Sequence, residues 1–225
     1  MVEGMTRSKS AARPAPTPAR RRIRGLDAEQ RSAQRRSQLL DAATELFAAQ
    51  SFSGTSIEQI CQRAYVGTKG FYDHFDSKEA CYIALLEQLT VQIRGRVAEV
   101  AEQTVQLAWQ PRLEAIIGAF VHAIADDPRL AKVTFGEAGG ISPTVERQRR
   151  SNRRWAAAFL DKQWAGTGDH RSIALALATI GGMFELIADW LHHHDDGGPP
   201  DAVDTLTEDL TRFVTVVYAG RTSTE

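Results

Sequence analysis

Residues Thr55 to Lys78 read TSIEQICQRAYVGTKGFYDHFDSK. The spacing predicts two short helices joined by a tight turn, with a third helix beginning at once. Thr55 followed by Glu58 is a capping-box pattern, which starts the first helix at Ser56. Ile57, Ile60 and Ala64 recur on one helical face, and Cys61 joins them. Tyr65, Val66 and Gly67 break the pattern, with Gly67 giving the backbone freedom to turn. Thr68 then caps a helix from Lys69 to Phe75, whose Phe71 and Phe75 point into a core. Ser77 caps the next. A short polar helix held between two others on an apolar anchor is built to present side chains. In a helix-turn-helix, such a helix enters the DNA major groove.

Ala64, Val66, Phe71, Tyr72, Phe75, Ser77, Lys78 and Glu79 fall at fixed offsets within a stretch from about Ser37 to Leu89. That stretch resembles the DNA-binding domain of TetR-family transcriptional repressors. The family usually has Gly at the position of Tyr65, so an aromatic in that turn carries backbone strain. The resemblance implies DNA contacts at Tyr72, His74 and Lys78, with Thr68 and Lys69 opening the recognition helix and Ser56 joining this set. Lys reads guanine edges, Thr reads bases weakly, and Tyr and His grip phosphate.

Charge is distributed unevenly around this stretch. Residues 1–36 hold ten Lys or Arg against three Asp or Glu, a net +7, while the whole chain of 225 residues carries −1. A basic front on an acidic body points to an anionic partner at the N-terminal end. Residues 1–24 are rich in Pro, Ala and Arg without periodicity and are expected to be a disordered basic arm. Its arginines from Arg20 to Arg24 can reach phosphates or a minor groove. The two cysteines, Cys61 and Cys81, read as small buried hydrophobes in a reducing cytoplasm. There is no apolar signal segment, and the best candidate for a membrane span, Ile173 to Phe184, stops at Glu185, so no membrane partner is expected.

Every other periodic stretch is helical, so the fold is expected to be all-α. A three-helix helix-turn-helix head over residues 25–80 precedes a larger helical body over residues 81–225. Helix one is expected from Ala28 to Ala49, with Gly54 turning the chain afterwards. A long fourth helix should run until Pro111 stops it near Gln110. A cleanly amphipathic helix ends at Pro128, a short one covers Arg129 to Phe135, and Ser142-Pro143 opens another that reaches Trp164. Asp169 should cap a helix to His192. After the GGPP break a last helix runs from Ala202 to Tyr218, with Gly220 just past its end.

Within the body, Trp109, Phe120, Phe135, Trp155, Phe159 and Met183 are candidates to line a ligand cavity, though plain core is the commoner fate of aromatics at this spacing. Arg147, Arg150 and Arg154 share a face in the Arg147–Arg154 cluster, either solvated or an anionic handle for a coenzyme A phosphate. The tract His192 to Asp196 cannot converge on one ion from consecutive helical positions, so no metal is expected, and no cofactor. Catalytic signatures are lacking, and no enzyme is expected. The last two helices carry more apolar surface than one partner helix can cover. The resemblance implies that Ile180, Phe184, Ile187, Leu206, Leu210, Phe213 and Val217 pair with a second copy.

The reading is of a cytoplasmic, homodimeric repressor on a palindromic double-stranded operator, released when a small, mainly apolar effector enters the body. A constitutive DNA-binding protein, an acyl-CoA-type sensor and an enzyme borrowing the fold are the alternatives. An aromatic-lined cavity in the body separates the first of these from the leading reading.

Overall fold

The computed structural model describes residues 27–136, 141–165, 173–193 and 202–222. The basic arm with Arg20 to Arg24, Gly139-Gly140, the Asp169 cap, the GGPP break and His194 to Asp196 lie outside the described residues. Of the described residues, those up to Gln34 form one compact unit and those from Arg35 onward another; the packing below is that of the second.

Among the described residues all regular structure is helical. Helix α1 spans Ala28–Gly54, but it is interrupted at Gln50 and Ser51, where Ser51 adopts a φ of 65°. The turn after helix one is therefore made at Ser51 and not at Gly54. Helix α2 spans Ile57–Ala64 and is capped by Ser56, whose hydroxyl accepts from Gln59 N while Gln59 Oε1 accepts from Ser56 N. The capping box is thus one residue later than Thr55–Glu58. The Thr55 side chain is instead turned back to α1, where its hydroxyl donates to the Ser51 carbonyl at 2.7 Å. Tyr65 ends α2 in the left-handed conformation (φ 53°, ψ 36°), and Val66 N donates back to Cys61 O, the six-to-one bond of a Schellman-type ending.

Helix α3 covers only Thr68–Tyr72 and is capped by the backbone of Gly67 without a side-chain bond, so Thr68 is its first residue, not its cap. Gly70 has a packing reason: a Cβ there would stand 2.7 Å from Val66 Cγ1. Helix α4, Lys78–Gln103, is capped by Ser77. It stops seven residues before Gln110. Pro111 instead sits in the first turn of α5, Trp109–Ala125, where its missing N–H has no helical partner to lose.

Asp127 caps α6, Pro128–Ala131, which passes into a wider π-type turn, Lys132–Gly136. Helix α7 is Pro143–Ala165, α8 is Ile173–His193 and α9 is Ala202–Thr222, so Gly220 lies inside the last helix and not beyond it.

Two large apolar cores result, with a smaller cluster of Val97, Ala101 and Ile116 beside them. The head core joins Leu39, Leu40, Phe47, Ile60, Phe71, Phe75, Cys81, Tyr82 and Leu85, and it also takes in Val133 and Val145. Both cysteines are buried, and burial pushes the Cys81 thiol up to about 12. The body core joins Leu113, Ile117, Val121, Leu160, Ile180, Ile187, Leu206 and Leu210. The π-type turn serves both, with Val133 in the head core and Phe135, two residues on, in the body core.

This packing corrects the expectation for the helix pair α8 and α9. Ile180, Ile187, Leu206 and Leu210 are buried within the protomer's own core, and Leu210 is 0% exposed. Helix α9 packs on α5 and α8, and α8 on α7 and α9, so these four side chains offer no surface to a second copy. Phe184, Phe213 and Val217 are half-buried against the same core. Gly182 admits the Phe213 ring, whose Cζ would lie 2.7 Å from an added Cβ, so the close approach required there is between α8 and α9 of one protomer. By length and composition alone α8 could cross a bilayer, contrary to the reading of Glu185 as its end. Its Ala176, Thr179, Ile180, Met183, Ile187 and Leu191 are buried in protein.

Candidate nucleic-acid interface and ligand cavity

The head presents one polar face. Thr68, Lys69 and Tyr72 are exposed on α3, and His74 is half-exposed just beyond it. Phe71 anchors the helix from beneath at 0% exposure. Next to them, Arg35, Gln38, Tyr65, Lys69 and Asp73 line a shallow groove. Tyr65 is 96% exposed, and sequence reasoning noted its strain without placing it in the DNA-facing set. An aromatic that is both strained and solvated is the signal that marks it.

Two members of that set have other duties. The Ser56 hydroxyl is occupied in capping α2. Lys78 turns inward: its Nζ donates to Phe52 O at 2.8 Å and Thr55 O at 2.7 Å, and it lies 4.3 Å from the centre of the Phe52 ring. Two of its three N–H donors thus hold the loop that ends α1.

The body contains a cavity of about 330 Å³. Trp109, Phe120, Phe135, Trp155, Phe159 and Met183, all six candidates, line it. Leu86, Ile93 and Val97 of α4, Leu113, Ile116 and Ile117 of α5, and Phe184 of α8 complete its apolar wall. The Trp155 and Phe159 rings stack at 5.5 Å, and Phe135 meets Phe184 edge-on at 4.9 Å.

The arginines of α7 reach the cavity in a different register from the one expected. Arg149 and Arg153 line it, together with Arg94 of α4, whereas Arg147, Arg150 and Arg154 are exposed. Arg147 donates to the Thr144 hydroxyl and Arg150 pairs with Glu146. Arg153 also pairs with Glu146, at 2.8 Å. Arg149 Nη2 donates to the Tyr82 hydroxyl at 3.0 Å, and that hydroxyl donates to Val133 O at 2.8 Å. Of the His192–Asp196 tract, His193 Nδ1 lies 2.8 Å from Asp189 O.

The comparisons with known proteins bear on both sites. Residues 39–85 match the model of the bacterial regulatory proteins, tetR family. The chain carries the DNA-binding segment of the TetR-family transcription regulators. Its relative FasR, a transcriptional activator of Mycolicibacterium smegmatis, is 26% identical over 71% of this chain and 74% of that protein. The repressor KstR2 of Rhodococcus jostii is 31% identical over 40% of this chain and 43% of its own, so that alignment spans less than half of either. The fold is that of FadR from Bacillus subtilis, solved in complex with stearoyl-CoA: the TM-score is 0.69 at 21% identity, covering 82% of this chain and 98% of the other. For a TetR-family regulator the matched segment is telling, because it ends at Leu85, within α4. The helix then continues without a break into the cavity wall.

Proposed function

We propose that this regulator is a homodimeric repressor whose two heads hold half-sites of a palindromic operator, and that a small, mainly apolar effector in the body cavity releases it. The observation that carries this reading is α4. Its first turns place Cys81, Tyr82 and Leu85 in the head core, while Leu86, Thr90, Ile93, Arg94 and Val97 line the cavity. An occupant that displaces α4 changes the spacing of two heads that must fit successive major grooves, roughly 34–36 Å apart. Thr68, Lys69, Tyr72 and His74 supply the DNA contacts, residues 25–80 act as the reading head, and residues 81–225 act as the sensing body. The protein works in the cytoplasm, where its DNA is.

Dimerisation uses the outer faces of α8 and α9, where Leu177 and Val216 are exposed. An aromatic-lined cavity favours this reading over constitutive DNA binding. A second reading, an acyl-CoA-type sensor, draws on the arginines at the cavity and on the stearoyl-CoA held by FadR.

Fluorescence anisotropy on palindromes selected from a random DNA pool tests the proposal. Affinity should fall steeply with salt, with a log–log slope of roughly −0.9 per phosphate contacted. Lys69→Ala should relax preference at one base position. A flat salt dependence, or failure to select any palindrome, would overturn the repressor reading.

A further inference from the structure

Helices α4 and α7 meet along a polar seam. Tyr82 pairs with Arg149 at 3.0 Å, and Asn152 Nδ2 donates to Thr90 Oγ1 at 2.9 Å. One turn further along α4, the Arg94 guanidinium lies 4.5 Å over the Trp155 ring. The first two rungs are hydrogen-bonded pairs. The third has an aromatic face and no oxygen.

Arg94 Nε is buried without an acceptor, and no carboxylate among the described residues pairs with this side chain. Burial holds the Arg94 pKa below the usual guanidinium range, yet arginine remains charged at neutral pH. A half-buried cation in an apolar wall is costly unless an anion joins it.

The charge count around the cavity limits what that anion can be. Of the lining arginines Arg94, Arg149 and Arg153, Arg153 pairs with Glu146 and Arg149 with the Tyr82 hydroxyl, which leaves Arg94 as the cation to be matched. Glu146 is already shared by Arg150 and Arg153. One such guanidinium in an apolar wall is matched by one negative charge. The Thr134 hydroxyl is a further buried donor in the same cavity without a partner. Thr90, Asn152, Gln163 and Glu185 also line it, and the rest of the wall is aliphatic and aromatic. A cavity of about 330 Å³ has room for an apolar chain of several carbons.

We propose that the ligand of this cavity is a monocarboxylate with an apolar body, its carboxylate accepting from Arg94 and its chain lying against α4, α5 and α7. The proposal rests on the body being an effector site. Arg94 is then the residue that selects a free acid over its esters.

Isothermal titration of the full chain with decanoate, methyl decanoate and decanoyl-CoA tests it, using the wild type, Arg94→Met and Arg94→Lys. Met keeps an apolar stem over Trp155 and removes the charge; Lys keeps the charge and confirms that the site still folds. Decanoate should bind Arg94→Met on the order of tenfold more weakly than wild type. Arg94→Lys should fall between them, and methyl decanoate should bind all three alike. Equal binding of acid and ester to the wild type overturns the assignment while leaving the effector site standing. So does an equal loss of both in Arg94→Met. Tighter binding of decanoyl-CoA that ignores Arg94 places the anion outside the cavity and also overturns it. If none of the three compounds binds, the carboxylate assignment is overturned, while the effector site stands for an apolar ligand of another kind.

Discussion

The head and the body solve the burial problem in opposite ways. In the head, Leu39, Ala43, Ile60, Phe71 and Cys81 are all 0% exposed, and the buried hydroxyls of Thr44 and Thr55 donate to Leu40 O and Ser51 O. In the body, a cavity remains, and polar atoms such as Trp109 Nε1, Thr134 Oγ1, Asn152 Oδ1 and Asp161 Oδ1 are buried without a partner. Among the described residues every such orphan lies at Arg94 or later. Native interiors rarely leave polar groups unsatisfied, and each exception asks for a reason. A reading head must hold one shape against DNA. A body that is to take up a ligand must keep room and unsatisfied polar atoms for something that arrives later.

The largest effect expected from this contrast is in the cost of truncating an aromatic. Phe71→Ala in the filled head core should destabilise the protein by about 3–5 kcal/mol, because the removed ring leaves a new void. Phe159→Ala should cost only about 1–2 kcal/mol, since this half-buried ring already borders empty space. Urea denaturation measures both. Equal losses would break the distinction between a filled core and an open one.

The two lysines of the head come next. Lys78→Ala removes two charge-assisted bonds to loop carbonyls and a ring contact, and should cost about 1–3 kcal/mol. Lys69→Ala, at an exposed site, should leave stability within about 0.5 kcal/mol and weaken operator binding. Thermal unfolding beside DNA anisotropy separates them. If Lys78→Ala keeps its stability and loses only DNA affinity, its ammonium faces phosphate and not the loop.

The head was legible because its code is local. Caps, a turn and apolar anchors sit at fixed offsets within some fifty residues. The misplacement of the first cap by one residue is itself local. Thr55–Glu58 and Ser56–Gln59 both satisfy the same pattern, and only the bond from Thr55 to Ser51 O decides between them. Pro111 illustrates a different ambiguity, because proline ends one helix and opens another equally well, and the stop at Gln103 left no comparable mark.

In the body, aromatic candidates were found because large side chains border cavities. The face of Arg147, Arg150 and Arg154 is solvated, one of the two readings left open; that Arg149 and Arg153 reach the cavity was not legible, because the α7 face that turns toward α4 is a property of packing between distant segments. The same limit applies to Leu206 and Leu210. Apolarity marked the stripe, but whether it meets α5 or a second copy depends on contacts a hundred residues away.

A smaller change probes the join between head and body. Tyr82→Phe keeps the ring that packs edge-on against Phe47 at 5.2 Å but deletes the hydroxyl that binds Val133 O and Arg149 Nη2. The loss should be about 1–2 kcal/mol, since the buried carbonyl is left short of a donor. If the hydroxyl links cavity and head, decanoate should release the variant from DNA less completely than wild type at equal occupancy, as DNA anisotropy with saturating decanoate would read. Unchanged release would confine the coupling to the apolar face of α4.

The smallest expected change is a gain in stability. Tyr65 holds φ 53°, ψ 36° at the end of α2 with its ring almost wholly in solvent. A non-glycine residue there costs roughly 1–2 kcal/mol relative to a right-handed one, and the exposed ring recovers little of this by packing. Tyr65→Gly relieves the strain but adds conformational freedom to the unfolded chain, which opposes the gain by about 0.4–1 kcal/mol. The net should be a stabilisation near 0.5 kcal/mol, visible as a small rise in the urea midpoint with an unchanged slope. The DNA measurement then gives the strain its meaning. Tyr65 shares a groove with Arg35 and Lys69, within reach of the face that presents α3. If the glycine variant is slightly more stable and binds the operator several-fold more weakly, the tyrosine is kept for contact and not for folding. Should stability rise with DNA affinity unaltered, the head tolerates strain for no purpose at the DNA, and the picture of a head optimised in every position fails at Tyr65.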